Sequence, residues 1–392
     1  MLKITNARLV TDGQILDGLN VYVKDSKIAA VTADSAKADE TINAEGLYLS
    51  AGFIDLHSHG GGGADFLDNT VDAFTTAANL HIAHGTTSML PTATASSVQE
   101  TFGILDTYKK AKATLWGDYF VGLHLEGPYF AASQCGAQDT NHLRTPKPEE
   151  YMAILDASAD IRRWSVAPEL PGALDLGREL QKRGILASVA HSDATYEEVL
   201  AAMEVGYSHI THLYSATSTV TRKNGYRSAG IIESAFLLDD LTVEIIADGC
   251  HLPAPLLKLI YKIKGADKIA LVTDSMRGAG VPTPEGKTTE TILGSLKNGR
   301  PCIIEDGVAK LPDRTAFAGS VATADRLVRT MVTLAEVPLP MAVKMMTETP
   351  AKIQGLQGKG RIAEGYDADF VLFDEGINVK RTVIKGKTMF IK

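Results

Sequence analysis

The sequence predicts an α/β protein built on a TIM (β/α)8 barrel, with a small β-sandwich domain made from both chain termini. Short strands alternate with helices through the middle of the chain, eight times in succession, which is typical of this barrel. Strand-rich segments flank the barrel, and neither is long enough to bury a core alone. Histidines and acidic residues recur where the predicted barrel strands end.

The composition is that of an ordinary soluble globular protein. The chain has 392 residues and a formal net charge of −8, which argues against nucleic acid or an anionic membrane as its main partner. Its three cysteines include no CxxC pair, as expected in a reducing compartment. We see no signal peptide and no apolar run long enough to span a bilayer, so we expect a cytoplasmic protein.

The two ends of the chain are predicted to be β structure. Valine, isoleucine and leucine dominate short runs separated by turn residues, at residues 2–10, 19–24, 28–32, 369–373 and 380–384. The simplest way to bury these runs is one sandwich, with residues 1–51 and 352–392 in the small domain and 52–351 in the catalytic barrel. Two independent β appendages are the alternative, and burial disfavours them.

The barrel itself is predicted from eight strand candidates and the helices between them. The strands are residues 53–59, 87–92, 119–126, 164–169, 186–191, 209–214, 243–248 and 268–274. The helices are residues 71–84, 98–113, 148–159, 173–183, 196–205, 229–238 and 254–264. A doubly wound open sheet is the competing fold, but no glycine-rich dinucleotide fingerprint follows the first strand.

A long segment rich in Gly, Pro and Thr follows the eighth strand, at residues 277–313. We expect it to cover the site as a lid or to carry a small β insertion. Helices predicted at residues 322–335 and 340–347 then return the chain to the small domain.

Six of the predicted strands end in imidazole or carboxylate side chains. The first ends in His57 and His59, which share a face because side chains two apart in a strand point the same way. The other five end in Glu126, His191, His212, Asp248 with His251, and Asp274. Active sites of TIM barrels lie at these strand ends, so we expect the side chains to converge.

Nitrogen and carboxylate ligands suit Zn²⁺ or Fe²⁺ better than Mg²⁺ or Ca²⁺. Glu126, His191 and His212 form a three-ligand site with one position open. His57 and His59, with Glu126 bridging and Asp274 nearby, are candidates for a second metal, so we expect one or two divalent metals. A bound metal activates water and polarises a carbonyl.

Two further strand-end residues have candidate roles beside the metal. Asp274 can take the proton of the attacking water and hand it to a leaving amine. His251 is a candidate substrate ligand, for a phosphate or a carbonyl; the alternative is a histidine held by the local backbone.

Several motifs resemble those of the amidohydrolase superfamily, and within it the amino-sugar-phosphate deacetylases, along essentially the whole chain. The general motifs are residues 52–59 and 365–372. The more specific ones are residues 124–128, 190–192, 211–214, 247–252 and 271–274. Hydantoinase, urease and dihydroorotase relatives place a carboxylated lysine between their metals. Here Glu126 on the third strand takes that position, as in the sugar deacetylases.

The resemblance implies deacetylation of N-acetylglucosamine 6-phosphate to glucosamine 6-phosphate and acetate. It assigns the principal metal to Glu126, His191 and His212, and the general base and acid role to Asp274. It implies that Arg222 reaches the sugar phosphate bound by a neighbouring subunit, which makes the enzyme a homodimer. The implied substrate contacts are His251 and the segments around Ala137, Gln138, Ser215, Ala216, Phe317, Ala318 and Gly319.

The chain departs from the family pattern in three places. Gln138 stands where many relatives have histidine; it can donate a hydrogen bond to the acetyl carbonyl but cannot carry charge. Residues 215–217 are Ser-Ala-Thr where many relatives have Asn-Ala-Met. The arginine loop, residues 222–227, is longer than usual, and Arg227 is the second candidate for the phosphate. The first-strand histidine pair is intact, which allows two metals.

Two other functions compete with this one. The first is a different amidohydrolase reaction, on N-acetylgalactosamine 6-phosphate or on an N-acyl amino acid or dipeptide. An arginine within reach of phosphate favours sugar phosphates, because its planar fork matches phosphate oxygens. The second is a non-enzymatic barrel that has lost its metal, and the intact ligand set argues against it.

Overall fold

The structure is a computed structural model that describes residues 1–114, 118–284 and 286–392. Its centre is a parallel sheet in which each of eight strands pairs with the next in sequence. The strands are Phe53–Ser58, Thr86–Ala93, Leu123–Glu126, Ile161–Val166, Leu186–Val189, Tyr207–Ile210, Thr242–Ile245 and Ile269–Leu271. The sheet curls until its edges meet, and Asp274 N–H donates to the His57 carbonyl at 2.8 Å. The predicted barrel is confirmed.

Helices follow the barrel strands as predicted. They span Val71–Ala83, Val98–Lys112, Pro148–Ala157, Ala173–Lys182, Tyr196–Glu204, Ile231–Leu237, Ala254–Lys264, Ala324–Thr333, Leu339–Lys344 and Glu348–Gln354. Thr70, Ser97 and Thr195 cap three of them by accepting a hydrogen bond from a first-turn N–H, as short hydroxyl side chains do at N-caps. The last helix, Glu348–Gln354, was not predicted. No helix among the described residues is long and apolar enough to cross a membrane.

The two termini meet in a pair of sheets. One has four strands, Lys27–Thr32, Asn20–Lys24, Leu2–Thr5 and Glu40–Asn43. The other has six, Lys387–Ile391, Val379–Ile384, Phe370–Phe373, Tyr48–Ala51, Arg8–Thr11 and Gln14–Leu16. Phe370–Phe373 pairs antiparallel with Tyr48–Ala51, so both ends of the chain share one sheet. This agrees with the predicted sandwich, and we propose residues 1–51 and 352–392 as its limits.

The segment after the eighth barrel strand carries a small antiparallel sheet. Of the two predictions for this segment, a lid or a small β insertion, the structure agrees with the insertion. Its strands are Thr289–Leu293, Arg300–Glu305 and Val308–Lys310. Residue 285, within the same predicted segment, lies outside the described residues. A separate exposed hairpin, Thr221–Lys223 with Tyr226–Ser228, carries Arg222 and Arg227.

The barrel and the terminal sheets are in close contact at Gly85, which has a φ of +91°. A Cβ atom there would lie 2.8 Å from the Phe53 ring and 2.9 Å from Val371, and both side chains are fully buried. Gly184 also follows a helix with positive φ, +65°, but nothing lies within 4 Å of its Cβ position. The two glycines therefore share the backbone constraint and differ in packing.

We expect Gly184→Ala to cost about 1–2 kcal/mol through left-handed backbone strain alone. Gly85→Ala should cost about 1–3 kcal/mol more, because Phe53 and Val371 must move to admit the methyl group. Thermal unfolding of both variants measures the difference as a larger fall in apparent Tm for Gly85→Ala. Equal falls would contradict the close packing at this junction.

Candidate active site

A cavity of about 300 Å³ opens at the carboxyl ends of the barrel strands. Its lining combines histidines and carboxylates at the bottom with small and aromatic residues from the loops. The lining residues are His59, Thr94, Glu126, Gly136, Ala137, Gln138, His191, His212, Tyr214, Ser215, Ala216, Ile246, His251, Asp274, Leu293, Ala316, Phe317 and Gly319. The strand ends therefore converge as predicted.

Glu126 lies at the centre of four imidazoles. Its Oε1 atom is 2.9 Å from Nε2 of His212, 3.3 Å from Nε2 of His191 and 3.5 Å from Nε2 of His57. Its Oε2 atom is 3.4 Å from Nε2 of His59. These contacts form two ligand groups that share Glu126, and within each group the ligand atoms lie within 4.8 Å of one another.

Hydrogen bonds fix which nitrogen each imidazole presents. Nδ1 of His59, His191 and His212 lies 3.2, 2.8 and 3.1 Å from the backbone carbonyls of Thr92, Gln134 and Ser215. A carbonyl only accepts, so each Nδ1 carries a proton, and each Nε2 is the nitrogen directed at Glu126 and left to bind a metal. Nδ1 of His57 donates in the same way to a carboxylate, Oε1 of Glu244, at 2.7 Å.

This donor set fits a divalent metal. Ligands about 2.0–2.1 Å from Zn²⁺ at tetrahedral angles lie roughly 3.4 Å apart, close to the distances around Glu126. Among the described residues, Nε2 of the fully buried His57 has no hydrogen-bond partner, and a buried polar atom of this kind requires one. A metal ligated by Nε2 would satisfy it.

The charges of the site also favour a cation. Burial alone would lower the pKa of His57, but Glu244, Glu126 and Asp274 raise it to about 9. Asp274 and Glu126 likewise outweigh burial at His59 and hold its pKa well above the usual range. The carboxylates thus stabilise positive charge between them, and a divalent metal bound to neutral imidazoles supplies that charge.

Three of these residues adopt a backbone conformation that is uncommon outside glycine. His191, His212 and Asp274 have φ values of 45°, 28° and 45°. Each lies just beyond the end of its strand, because the strands stop two to four residues earlier than predicted, at Val189, Ile210 and Leu271. Left-handed backbone costs energy and is concentrated at functional sites, and all three side chains line the cavity.

Asp274 lies beside the histidine pair of the first strand. Its Oδ1 atom is 3.1 Å from Nε2 of His59 and 3.6 Å from Nε2 of His57. Burial would raise its pKa, but His57 and His59 lower it, so the side chain is a carboxylate that can accept a proton.

The predicted substrate residues divide into two groups. Ala137, Gln138, Ser215, Ala216, His251, Phe317 and Gly319 line the cavity, and Ala318 is fully buried between two of them. Arg222 lies outside the cavity lining, on the exposed hairpin. Nδ1 of His251 bonds Oδ2 of Asp248 at 2.9 Å, which leaves Nε2 to meet a ligand.

Gln138 is held at both ends of its amide. Its Oε1 atom accepts from the Ala95 N–H at 2.8 Å, and its Nε2 atom donates to Oε2 of Glu126 at 2.7 Å. Because the backbone N–H only donates, the amide orientation is fixed. One of the two amide hydrogens remains for a ligand in the cavity.

Sequence reasoning missed the residues beneath the cavity, above all Glu244 and Arg163. Both are fully buried in barrel strands and form an ion pair at 2.5 Å. The available signal was a lone charge inside an otherwise apolar strand, Glu244 within residues 242–246. His124, two residues before Glu126 on the third strand, is engaged through both nitrogens, with Thr92 at 3.2 Å and Ser165 at 2.7 Å.

The chain belongs to the amidohydrolase family, whose model matches residues 48–389 and whose members generally depend on divalent metals. N-acetylglucosamine-6-phosphate deacetylase of Lysinibacillus sphaericus is 29% identical over 98% of this chain and 97% of its own. N-acetylgalactosamine-6-phosphate deacetylase of a Shewanella strain is 30% identical over 100% and 96%. The crystal structure of N-acetylglucosamine-6-phosphate deacetylase from Pasteurella multocida superposes with a TM-score of 0.92 at 28% identity, covering all of both chains.

We expect His191→Ala and His212→Ala each to lose most of their bound metal, and activity with it, because each removes one of three ligands of one group. His84→Ala is the matched control, since His84 bonds Asp325 at 3.0 Å on the outer side of the barrel. Elemental analysis of the purified variants measures the metal. Normal metal content in either site variant would show that the group is not a metal site.

Proposed function

We propose that this chain hydrolyses the acetamide of N-acetylglucosamine 6-phosphate to glucosamine 6-phosphate and acetate. The observation that carries the proposal is the carboxylate of Glu126 at the end of the third strand, surrounded by four imidazole Nε2 atoms. This chain is similar along its whole length to named amino-sugar-phosphate deacetylases. It has this arrangement at the strand ends where the sequence predicts it.

Glu126, His191 and His212 would hold the principal metal, Zn²⁺ or Fe²⁺, and His57 and His59 with Glu126 a second one. A divalent metal supplies a Lewis acid that polarises the acetyl carbonyl and makes water nucleophilic at neutral pH. Gln138 donates its remaining amide hydrogen to the same carbonyl.

Asp274 is the general base and then the general acid. Its carboxylate accepts a proton from the water that adds to the carbonyl carbon. It returns that proton to the sugar nitrogen as the C–N bond breaks, so glucosamine 6-phosphate leaves as an amine and acetate remains. The lowered pKa of Asp274 keeps it ionised, and therefore ready to accept, at neutral pH.

The rest of the cavity binds the sugar. Nε2 of His251 faces the cavity as a ligand for phosphate or carbonyl oxygen, and its ring contacts Phe317, with ring centroids 4.6 Å apart. Backbone groups at Ser215 and Ala216 can hydrogen-bond the sugar from the opposite loop. A cavity of this size holds a small ligand.

A second copy of the chain completes the phosphate site in this proposal. Arg222 is exposed, and the tip of the same hairpin carries Tyr226, which is 81% exposed. A hairpin that is this exposed is suited to reach across to a neighbouring subunit, where arginine would bind phosphate through its planar fork. The enzyme would then be a homodimer in the cytoplasm, with Arg227 as the alternative phosphate ligand.

Deacetylation of N-acetylgalactosamine 6-phosphate is the second candidate, and the similar Shewanella enzyme favours it. The two sugars differ only in the orientation of one hydroxyl, and Ser215 and Ala216 of the loop that departs from the family pattern line the cavity. A panel of both sugar phosphates, their unphosphorylated forms and N-acyl amino acids tests the proposal, with metal content measured on the same sample. Turnover of acyl amino acids alone would overturn it.

We expect Asp274→Asn to retain its metal and to bind substrate while kcat falls by about 10²–10⁴. Asparagine keeps the shape of aspartate but cannot accept the proton. The acid limb of the kcat profile should also vanish from the residual activity, because that limb reports protonation of Asp274 together with the groups coupled to it.

The kcat and metal content of Asp274→Asn decide the assignment. Near-normal kcat would exclude Asp274 as the base and leave His124, two residues before Glu126, to be tested next. A loss of metal together with kcat would instead assign Asp274 to metal binding.

We expect Arg222→Ala to raise KM for the phosphorylated sugar by a large factor, because truncating one side of a charge-assisted pair costs about 2–5 kcal/mol. Turnover of the same sugar without phosphate should hardly change. An unchanged KM would move the role to Arg227, and Arg227→Ala is the matched variant on the same hairpin.

A further inference from the structure

The ion pair between Glu244 and Arg163 lies in the barrel interior, beneath the candidate metal centre. Both side chains are fully buried, and Nη1 of Arg163 lies 2.5 Å from Oε2 of Glu244. Arg163 also donates to Oγ of Ser188 at 3.1 Å and to Oγ1 of Thr211 at 2.9 Å. These partners hold the guanidinium in one position and direct its charge at Glu244.

The other oxygen of Glu244 contacts two histidines of the site. Oε1 accepts from Nδ1 of His57 at 2.7 Å and from the backbone N–H of His212 at 3.2 Å. His57 belongs to the first ligand group and His212 to the second. A single carboxylate oxygen therefore contacts both groups from below.

The contact with His57 determines which nitrogen that residue presents. An ionised carboxylate only accepts hydrogen bonds, so a proton stays on Nδ1 and Nε2 is the nitrogen that is left to bind a metal. That atom points between Oε1 of Glu126 and Oδ1 of Asp274, at 3.5 and 3.6 Å. The Glu244 carboxylate is thus part of the reason that the first group can act as a ligand set.

The contact with His212 acts on the backbone. His212 has a φ of 28°, an unfavourable conformation that surrounding contacts must maintain. Its N–H donates to Glu244, and the next N–H, of Leu213, donates to the Glu244 carbonyl at 2.9 Å. Glu244 therefore supports the turn that directs the His212 imidazole at Glu126.

A purely structural role for this ion pair explains less. Buried ion pairs contribute little net stability compared with apolar side chains of similar volume. The pair also contacts three histidines, through Nδ1 of His57, Nε2 of His209 and the backbone N–H of His212, which filling space does not require.

We propose that Glu244 is a positioning residue that joins the two metal positions, by fixing the tautomer of His57 and the backbone of His212. The inference rests on the metal site of the proposed function, but not on the substrate. In Glu244→Gln, the amide nitrogen would donate to Nδ1 of His57 and move the proton of that ring to Nε2. The lone pair would then face away from the metal position.

Titration of chelator-treated protein with Zn²⁺ alone tests the proposal. We expect two binding events in the wild type. Glu244→Gln should weaken Zn²⁺ binding at the His57 group by about 10–100-fold, as removal of a supporting hydrogen bond does at metal sites. It should weaken Zn²⁺ binding at the group that contains His212 by a smaller factor. Asp325→Asn is the matched control, because Asp325 holds Nδ1 of His84 at 3.0 Å outside the site, and it should leave both events unchanged.

Two further variants separate positioning from stability. Glu244→Gln leaves the Arg163 charge unpaired, so Arg163→Met combined with Glu244→Leu removes that charge together with the hydrogen-bond acceptor, and it should show the same loss of Zn²⁺ binding in a more stable protein. His57→Ala should abolish the event at the His57 group. Adding Glu244→Gln to His57→Ala should then weaken only the remaining event, because Glu244 acts on the other group through the backbone N–H of His212.

Three results would overturn the inference: a single binding event in the wild type, unchanged Zn²⁺ affinities in Glu244→Gln, or restored affinity in the double variant without Arg163. Because the titration contains no sugar, a chain that fails to deacetylate any sugar phosphate but shows these Zn²⁺ effects disproves the proposed function and leaves the role of Glu244 intact.

Discussion

The site depends on one buried carboxylate, Glu126, held among four imidazoles. A carboxylate with 2% exposure pays a large desolvation cost, and only nearby positive or hydrogen-bonding groups offset it. His57, His191 and His212 hold its pKa well below the usual range against that burial. The arrangement is stable as an anion surrounded by donors, and with a metal bound it becomes a set of ligands.

The barrel supplies the convergence that this carboxylate needs. Parallel strands bring residues from distant parts of the sequence to one rim, and the strands end early enough for His191, His212 and Asp274 to lie on turns rather than in the sheet. Each turn has a left-handed residue, and the side chains of all three line the cavity. The unfavourable backbone is maintained by hydrogen bonds from neighbouring segments, such as that from Ser320 N–H to the Asp274 carbonyl at 2.7 Å.

Sequence patterns predicted the parts that depend on local order. The alternation of short strand-like runs with helical segments identified all eight barrel strands, and histidines at strand ends identified the residues that surround Glu126. The missing parts depend on contacts far apart in sequence. Glu244 and His57 are 187 positions apart, and Arg163 and Glu244 are 81 apart, so neither pairing leaves a local signature. The short helix Glu348–Gln354 has too few turns for a periodic pattern to identify it.

Gln138 stands where the family resemblance leads us to expect histidine, and it lies in direct contact with Glu126. Its amide is fixed by the Ala95 N–H, so it always presents hydrogens to Glu126 and to the cavity, independent of pH. A histidine in that position donates from both nitrogens only when charged. A neutral, fixed donor would add little charge to a polarised carbonyl, so in the proposed reaction more of that stabilisation would fall to a cation bound by Glu126 and its histidines. The substitution would therefore increase the dependence of that reaction on the arrangement that Glu244 and Arg163 support from below.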